Sequence, residues 1–233
     1  MKVISQYPIN PKDYSYSCSC KVYYIHVKIE DITEQAKILK NDFLDKSWIN
    51  SLDIATQKAY ETRANATISK LIKNVLDKVD NKITEEFGEI LVSTSAKDVL
   101  CTNYNHKKIP LAELWKEKAS GNPGFDFHTE TPTELIAFGE AKYRNATNAY
   151  SLALQQIKDF IQNEKDLMEL SDLKNFVGEK ALSNITNLNL KAFIAAFSLH
   201  INDDVSIINH IMKNPHIRDL LRHPELYIIG VEA

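Results

Sequence analysis

Apolar positions along the chain switch between a period of two and a period near four, and the switches mark out its elements. Residues 1–17 are polar and carry Pro8 and Pro11, which predicts an ordered arm or a loose lead-in. Lys21 to Glu30 (KVYYIHVKIE) is rich in β-branched and aromatic residues and predicts a strand. From there Ile32, Ala36, Leu39 and Phe43 recur at helical spacing, with Asp31 or Thr33 placed to cap the first turn. A second helix is expected from about Leu52 to Val79, where Ile68, Leu71, Ile72, Val75, Leu76 and Val79 form one stripe, so the two make a helix pair. A third follows over Lys82 to Thr94, with Ile83, Phe87, Ile90 and Leu91 on one face and Glu85, Glu86 and Glu89 around it. Between Cys101 and Pro123 the pattern is ambiguous, and LAELWKEKAS fits a strand or a helical turn equally well.

The stretch from Gly121 to Phe160 organises the second half. A short apolar segment with Asp126 reaches a polar turn, Thr129 to Thr133, and returns as a second apolar segment ending Glu140-Ala141-Lys142, which predicts a hairpin. Strand parity places Phe138, Glu140 and Lys142 on one face, shared with Asp126 and His128 of the partner strand. Leu135, Ala137, Gly139 and Ala141 make the other face, small and apolar enough to pack against a helix. Ala146 to Gln162 predicts a helix through Tyr150, Leu154, Ile157 and Ile161. Lys165 to Asn189 is polar and irregular with room for a short helix, and Lys191 to Ile201 (KAFIAAFSLHI) has the continuous apolar run of a strand covered on both faces. A helix near Val205 to Lys213, a basic HIRDLLRH segment and a strand-like LYIIGVE complete the chain. Helix, hairpin, crossover helix, strand is the order of an α/β fold: a central mixed sheet flanked by helices, with an N-terminal strand and helix-pair elaboration. The division expected is 1–80 for the elaboration and 81–233 for the core.

Composition removes several function classes. With 233 residues the chain fits one such domain. Its net charge of -3 offers no global basic field for nucleic acid, so any such contact is local. Cys18, Cys20 and Cys101 form neither a disulfide framework nor a zinc quartet, and the N-terminus has no signal-peptide apolar core. A cytoplasmic protein with no membrane segment is expected. None of the six glycines sits in a dinucleotide or phosphate loop, and no nucleophile elbow is present. The basic residues Lys107, Lys108, Lys116 and Lys118, like Arg218 and Arg222, read first as solvated faces and only second as contacts to DNA or a partner.

Asp126, Glu140 and Lys142 are the parts needed for metal-assisted phosphodiester hydrolysis. Hard carboxylates suit Mg2+, with Mn2+ able to substitute, and a lysine on the same face can orient water and offset transition-state charge. Glu89, or else Glu86, would complete the ligand set. His128, Gln156, Tyr143 and Arg144 are candidates for support or substrate contact, each with a structural reading beside the functional one: a hydrogen-bonded buried histidine, a side chain in a polar network, residues of a solvated loop.

The order of helix acid, Asp126, Glu140-Ala141-Lys142 and a following helix resembles the PD-(D/E)XK nuclease superfamily. On that resemblance Phe87-Gly88-Glu89 supplies the first-helix acid, Asp126 the metal-binding aspartate, Glu140 and Lys142 the Glu-x-Lys pair, and Gln156 with Phe160 the glutamine and aromatic of some branches. The name-giving proline is displaced: Asp126 follows Phe125, and the nearest proline is Pro123. Within the superfamily, GFDFH, FGEAKYR and the alanine-bearing helix after them most resemble the nuclease subunits of the bacterial Hachiman anti-phage defence system, over about Glu85 to Ile201. The resemblance implies a restriction-endonuclease-like core, DNA as substrate and a helicase partner subunit. Two other readings stay open: a stand-alone restriction endonuclease, and a catalytically silent DNA- or protein-binding module on the same fold.

Overall fold

A computed structural model describes residues 1–74, 83–116, 124–200 and 203–233. Val75, Leu76 and Val79 of the expected stripe, Lys82, Lys118, Gly121, Pro123 and Ile201 lie outside the described residues. Seven strands form one sheet: β1 Lys2–Ile9, β2 Lys21–Lys28, β3 Lys107–Lys108, β4 Phe127–Glu130, β5 Ile136–Lys142, β6 Ala192–Ser198 and β7 Glu225–Glu232. Their order is β1-β2-β7-β6-β5-β4-β3. The four central strands β2, β7, β6 and β5 run parallel, and β1, β4 and β3 add antiparallel edges. This is a mixed sheet flanked by helices, an α/β fold. Among the described residues, no helix is long and apolar enough to cross a membrane.

Burial follows from position in the sheet. Every residue of β6 is buried and β7 is buried up to its last residue, as expected of interior parallel strands covered on both faces. β1 is a strand where an arm or lead-in was expected. As an edge strand it has only one neighbour, so it tolerates Pro8 and a mostly solvent-facing, polar sequence that hides its strand character. Tyr7 stacks on Tyr24 of β2 with ring centroids 6.4 Å apart, and so anchors it.

Ten helices surround the sheet among the described residues. α1 (Ile32–Leu44) starts at Asp31, whose carboxylate accepts the Glu34 N–H, which settles the choice of cap. α2 (Ile54–Asn74) completes the helix pair. α3 (Glu85–Asn103) is capped by Thr84 and runs nine residues beyond Thr94, the end expected for it (103 − 94 = 9). Its buried residues from Phe87 to Leu100 lie on several sides, because it is a central helix rather than a surface one, and one apolar stripe understates it. The ambiguous segment resolves into β3 and the single-turn α4 (Ala112–Trp115). α5 (Tyr150–Gln162) is part of the connection between the parallel strands β5 and β6, the crossover expected. The stretch after it holds three helices where one was expected: α6 (Lys165–Met168), α7 (Leu170–Leu173) and α8 (Glu179–Leu188). Two of them are single turns, too short for a periodic signal. α9 (Asp204–Met212) and α10 (Ile217–Leu220) precede β7.

Candidate functional site

The hairpin of β4 and β5 forms with its turn two residues later than the sequence indicates. Thr129 and Glu130 belong to β4, as the β-branched threonine favours. The turn runs over Thr131 to Leu135, with the Thr131 N–H bonded to the Leu135 carbonyl at 2.9 Å. The register pairs Phe127 with Gly139 and His128 with Phe138, so Asp126 faces Glu140 across the ladder. Two hydrogen bonds fix Asp126 against β5: its N–H donates to the Gly139 carbonyl at 2.9 Å, and its Oδ2 accepts the Ala141 N–H at 2.8 Å. The aspartate thus grips the backbone on both sides of Glu140.

Glu140 is fully buried, and neither carboxylate oxygen has a directed hydrogen bond. Lys142 Nζ lies 2.7 Å from its Oε1 and 3.6 Å from Glu89 Oε1 of α3, close in charge but out of line for a hydrogen bond to Glu140. These four side chains, brought from β4, β5 and α3, are the ones proposed from sequence. Gly88 makes the approach of α3 possible: a Cβ there would lie 2.2 Å from the Tyr143 ring.

Electrostatics mark the cluster as short of positive charge. Burial pushes the Asp126 carboxyl up to about 6, helped by the negative charge of Glu113 on α4. Burial, then the charge of Asp126, holds Glu140 well above the ordinary carboxylate range despite Lys142. Glu89 is raised as well, by burial first. For Lys142 burial works against the charge, but Glu140, Asp126 and Glu89 override it and raise its pKa. Were all three carboxyls to ionise against the one ammonium, two negative charges would be left over, which a divalent cation would balance.

The donor set fits such an ion. Buried carboxylate oxygens without partners are costly unless something charged meets them; at Glu140 the Lys142 ammonium meets Oε1, and Oε2 is met by nothing. Asp126 and Glu140 are the residues to hold it, with Glu89 next. Among the described residues no three His, Cys, Asp or Glu side chains converge as a ready-made cage. The protein would therefore supply only part of the coordination shell, the arrangement that suits Mg2+, which keeps several waters.

A cavity of about 170 Å³ opens beside the cluster, with Glu86, Glu89 and Ser93 of α3, Glu113 of α4 and Asp126 on its walls. Glu140 and Lys142 do not line it. Glu86 therefore shares this opening with Glu89, but only Glu89 contacts Lys142. Arg144 is exposed and paired with Glu85, and its N–H donates to Ser198 Oγ at 2.9 Å. Tyr143 is buried, and its ring packs where α3 approaches at Gly88. Gln156 lies half-buried on α5.

His128 is fully buried, and its Nε2 meets Glu169 Oε2 at 2.6 Å. The contact ties the hairpin to Glu169. Burial lowers the pKa of the imidazole, against the pull of Glu169. The same glutamate accepts the Phe125 N–H at 2.9 Å and the Lys116 ammonium at 2.5 Å, and Lys116 also donates to the Phe125 carbonyl. Burial opposes the Glu169 charge, but His128 and Lys116 outweigh it and hold the carboxyl below its ordinary range. Glu169 and Glu113 are the residues that sequence reasoning passes over. Both lie in segments of ambiguous pattern, and no spacing connects either with Asp126.

Fold and cluster together define an α/β protein with an acid-and-lysine site at the end of a β-hairpin. A model of the HamA family matches residues 4–220. The chain belongs to the HamA family and so to the components of Hachiman anti-phage defence. No curated protein matches it.

Proposed function

We propose that this chain is a metal-dependent nuclease of the PD-(D/E)XK type, cutting DNA phosphodiester bonds as the effector of its defence system. The observation that carries the reading is Glu140: a fully buried carboxylate opposite Asp126 that accepts no hydrogen bond, with Oε1 2.7 Å from Lys142 and Oε2 unpartnered. Such a group is a poor structural element and a good ligand. Asp126 and Glu140 hold Mg2+, with Glu89 assisting. When bound, the ion polarises the phosphodiester and acidifies water. The chain's own part is positional. The backbone grip of Asp126 fixes its carboxylate relative to Glu140, and Lys142, kept charged by three acids, offers N–H donors that orient the attacking water and offset charge growing on phosphate.

The walls of the opening are acidic, through Glu86, Glu89 and Glu113, and the whole chain is negative. A polyanion is repelled by that surface, so affinity for DNA comes from elsewhere, and a helicase partner subunit fits that need. The test is cleavage of plasmid and linear DNA by the full chain, alone and with its partner, with and without Mg2+ or Mn2+. Glu140→Ala and Lys142→Ala are expected to abolish cutting with the fold intact. Cutting that persists in both variants, or that does not depend on metal, would sink the proposal.

A further inference from the structure

A second cavity, of about 240 Å³, lies between α1, the 3-10 turn Ser47–Ser51, α3 and the segment from Lys108 to Leu114. It shares no residue with the opening beside Asp126. Its apolar walls are Phe43, Trp48, Leu111 and Leu114. Asp42, Asp45, Ser47 and Lys108 are exposed and form the outer rim. On the rim Lys108 pairs with Asp42 at 3.3 Å, and it also reaches Asp98 at 3.8 Å.

The deep wall is different. Lys97, from the middle of α3, lines the cavity with only 4% of its surface exposed. Among the described residues no carboxylate forms an ion pair with it. The acids closest in influence, Asp98 and Asp42, are engaged by Lys108. Thr94 beside it spends its hydroxyl on the Ile90 and Leu91 carbonyls, at 2.7 and 3.2 Å. Trp48 has a buried indole N–H with no acceptor. Lys97, a donor without a partner, therefore lines a hollow whose apolar walls are Phe43, Trp48, Leu111 and Leu114.

A buried ammonium facing a hollow without a counter-charge is unfavourable on its own. Burial, followed by repulsion from Lys108, pulls its pKa down to about 8.

We propose that this cavity binds a small oxyanion on an apolar body, a carboxylate or a phosphate monoester, with the anionic head received by Lys97 and the body held among Phe43, Trp48, Leu111 and Leu114. The volume is below the roughly 300–1,000 Å³ of drug-sized sites, which limits the ligand to about one ring and its head group. The inference is independent of nuclease action, since none of its residues belongs to the Asp126 cluster.

Benzoate and phenyl phosphate serve as probes, because they share a ring and differ in the anion. Calorimetry on the full chain is expected to show saturable binding of at least one at millimolar concentration or below, and the tighter of the two identifies carboxylate or phosphate as the preferred head. Lys97→Met should weaken that binding at least about tenfold, and Leu114→Trp, which fills the cavity and leaves Lys97 in place, should do the same. No saturable binding of either probe, or equal affinity in folded Lys97→Met, overturns the proposal. Should the variants not fold, the lysine side-chain resonances of the parent chain give a second reading. Probe binding must raise the Lys97 titration midpoint, and an unmoved midpoint overturns the proposal as well.

Discussion

Adding one methyl group at Gly88 tests how the acid of α3 is brought to the hairpin. An ideal Cβ at that position would lie 2.2, 2.4 and 2.6 Å from Cγ, Cδ1 and Cδ2 of Tyr143, far inside the ~3.5 Å where carbon atoms reach favourable contact. Tyr143 is only 6% exposed, so its ring has nowhere to swing and the helix itself must yield. In an ordinary helix interior Gly→Ala is stabilising by roughly 1 kcal/mol. Overpacking a filled core costs about 1–3 kcal/mol, and a contact more than 1 Å too close belongs at the upper end. The net effect expected for Gly88→Ala is therefore a loss of about 1–2 kcal/mol, opposite in sign to propensity. At about 2–4 °C per kcal/mol for a chain of this size, the midpoint falls by about 2–8 °C. Thermal and urea unfolding of the full chain measure it, and Tyr143→Leu in the same chain supplies the control. With the ring removed, alanine at position 88 should recover its usual advantage, which gives a coupling of about 2–3 kcal/mol in the cycle. A Gly88→Ala protein as stable as its parent would refute the close approach of α3 to the end of β5.

The raised carboxyls make a second prediction, about pH. A folded-state pKa above the unfolded value means the folded chain holds the proton more tightly, so the stability gained is full at low pH and is lost as pH rises through the folded value. For Asp126, raised from 3.8 to about 6, the loss falls between about pH 4 and 6, and for Glu140 it extends higher. Glu140→Gln, melted with chelator present, should exceed the parent in stability at pH 8, with the gap closing towards pH 4; a variant less stable than its parent at pH 8 contradicts the assignment. Glu169→Ala removes the acceptor shared by Lys116, Phe125 N–H and His128, and stranding these groups should cost about 3–5 kcal/mol in denaturant unfolding. A loss below 1 kcal/mol would show that the carboxylate braces little. Calorimetry with Mn2+ should show binding to the parent chain that Asp126→Asn and Glu140→Gln abolish, whereas unchanged binding in both would place the ion elsewhere.

Much of the site was legible because its parts are close in sequence. Strand parity in the hairpin needs only local geometry, and it put Asp126, Glu140 and Lys142 together correctly, as the register shows. Glu89 was separable from Glu86 only in three dimensions, since both are in the first two turns of α3 and the choice depends on where Tyr143 meets Gly88. Glu169 was invisible for a different reason: it is 44 residues from Phe125, in a region of one-turn helices without periodicity. The edge strand β1 was missed because a strand with one neighbour needs no apolar alternation. His128 showed the limit of parity, which fixes a face but not what covers it.

The position of β7 has a consequence for how the protein is made. Strand β2, from the first thirty residues, touches the rest of the sheet only through β7, formed by Glu225–Glu232. During synthesis, the β1–β2 hairpin and the group β3 to β6 are two unjoined pieces, each with an open edge, until residues 225–232 leave the ribosome. A chain cut short before them would present both edges to other chains, where strands recruit strands. The keystone of the sheet is thus among the later parts to arrive. A frameshift or nick upstream of it should yield an aggregating product rather than a smaller working domain.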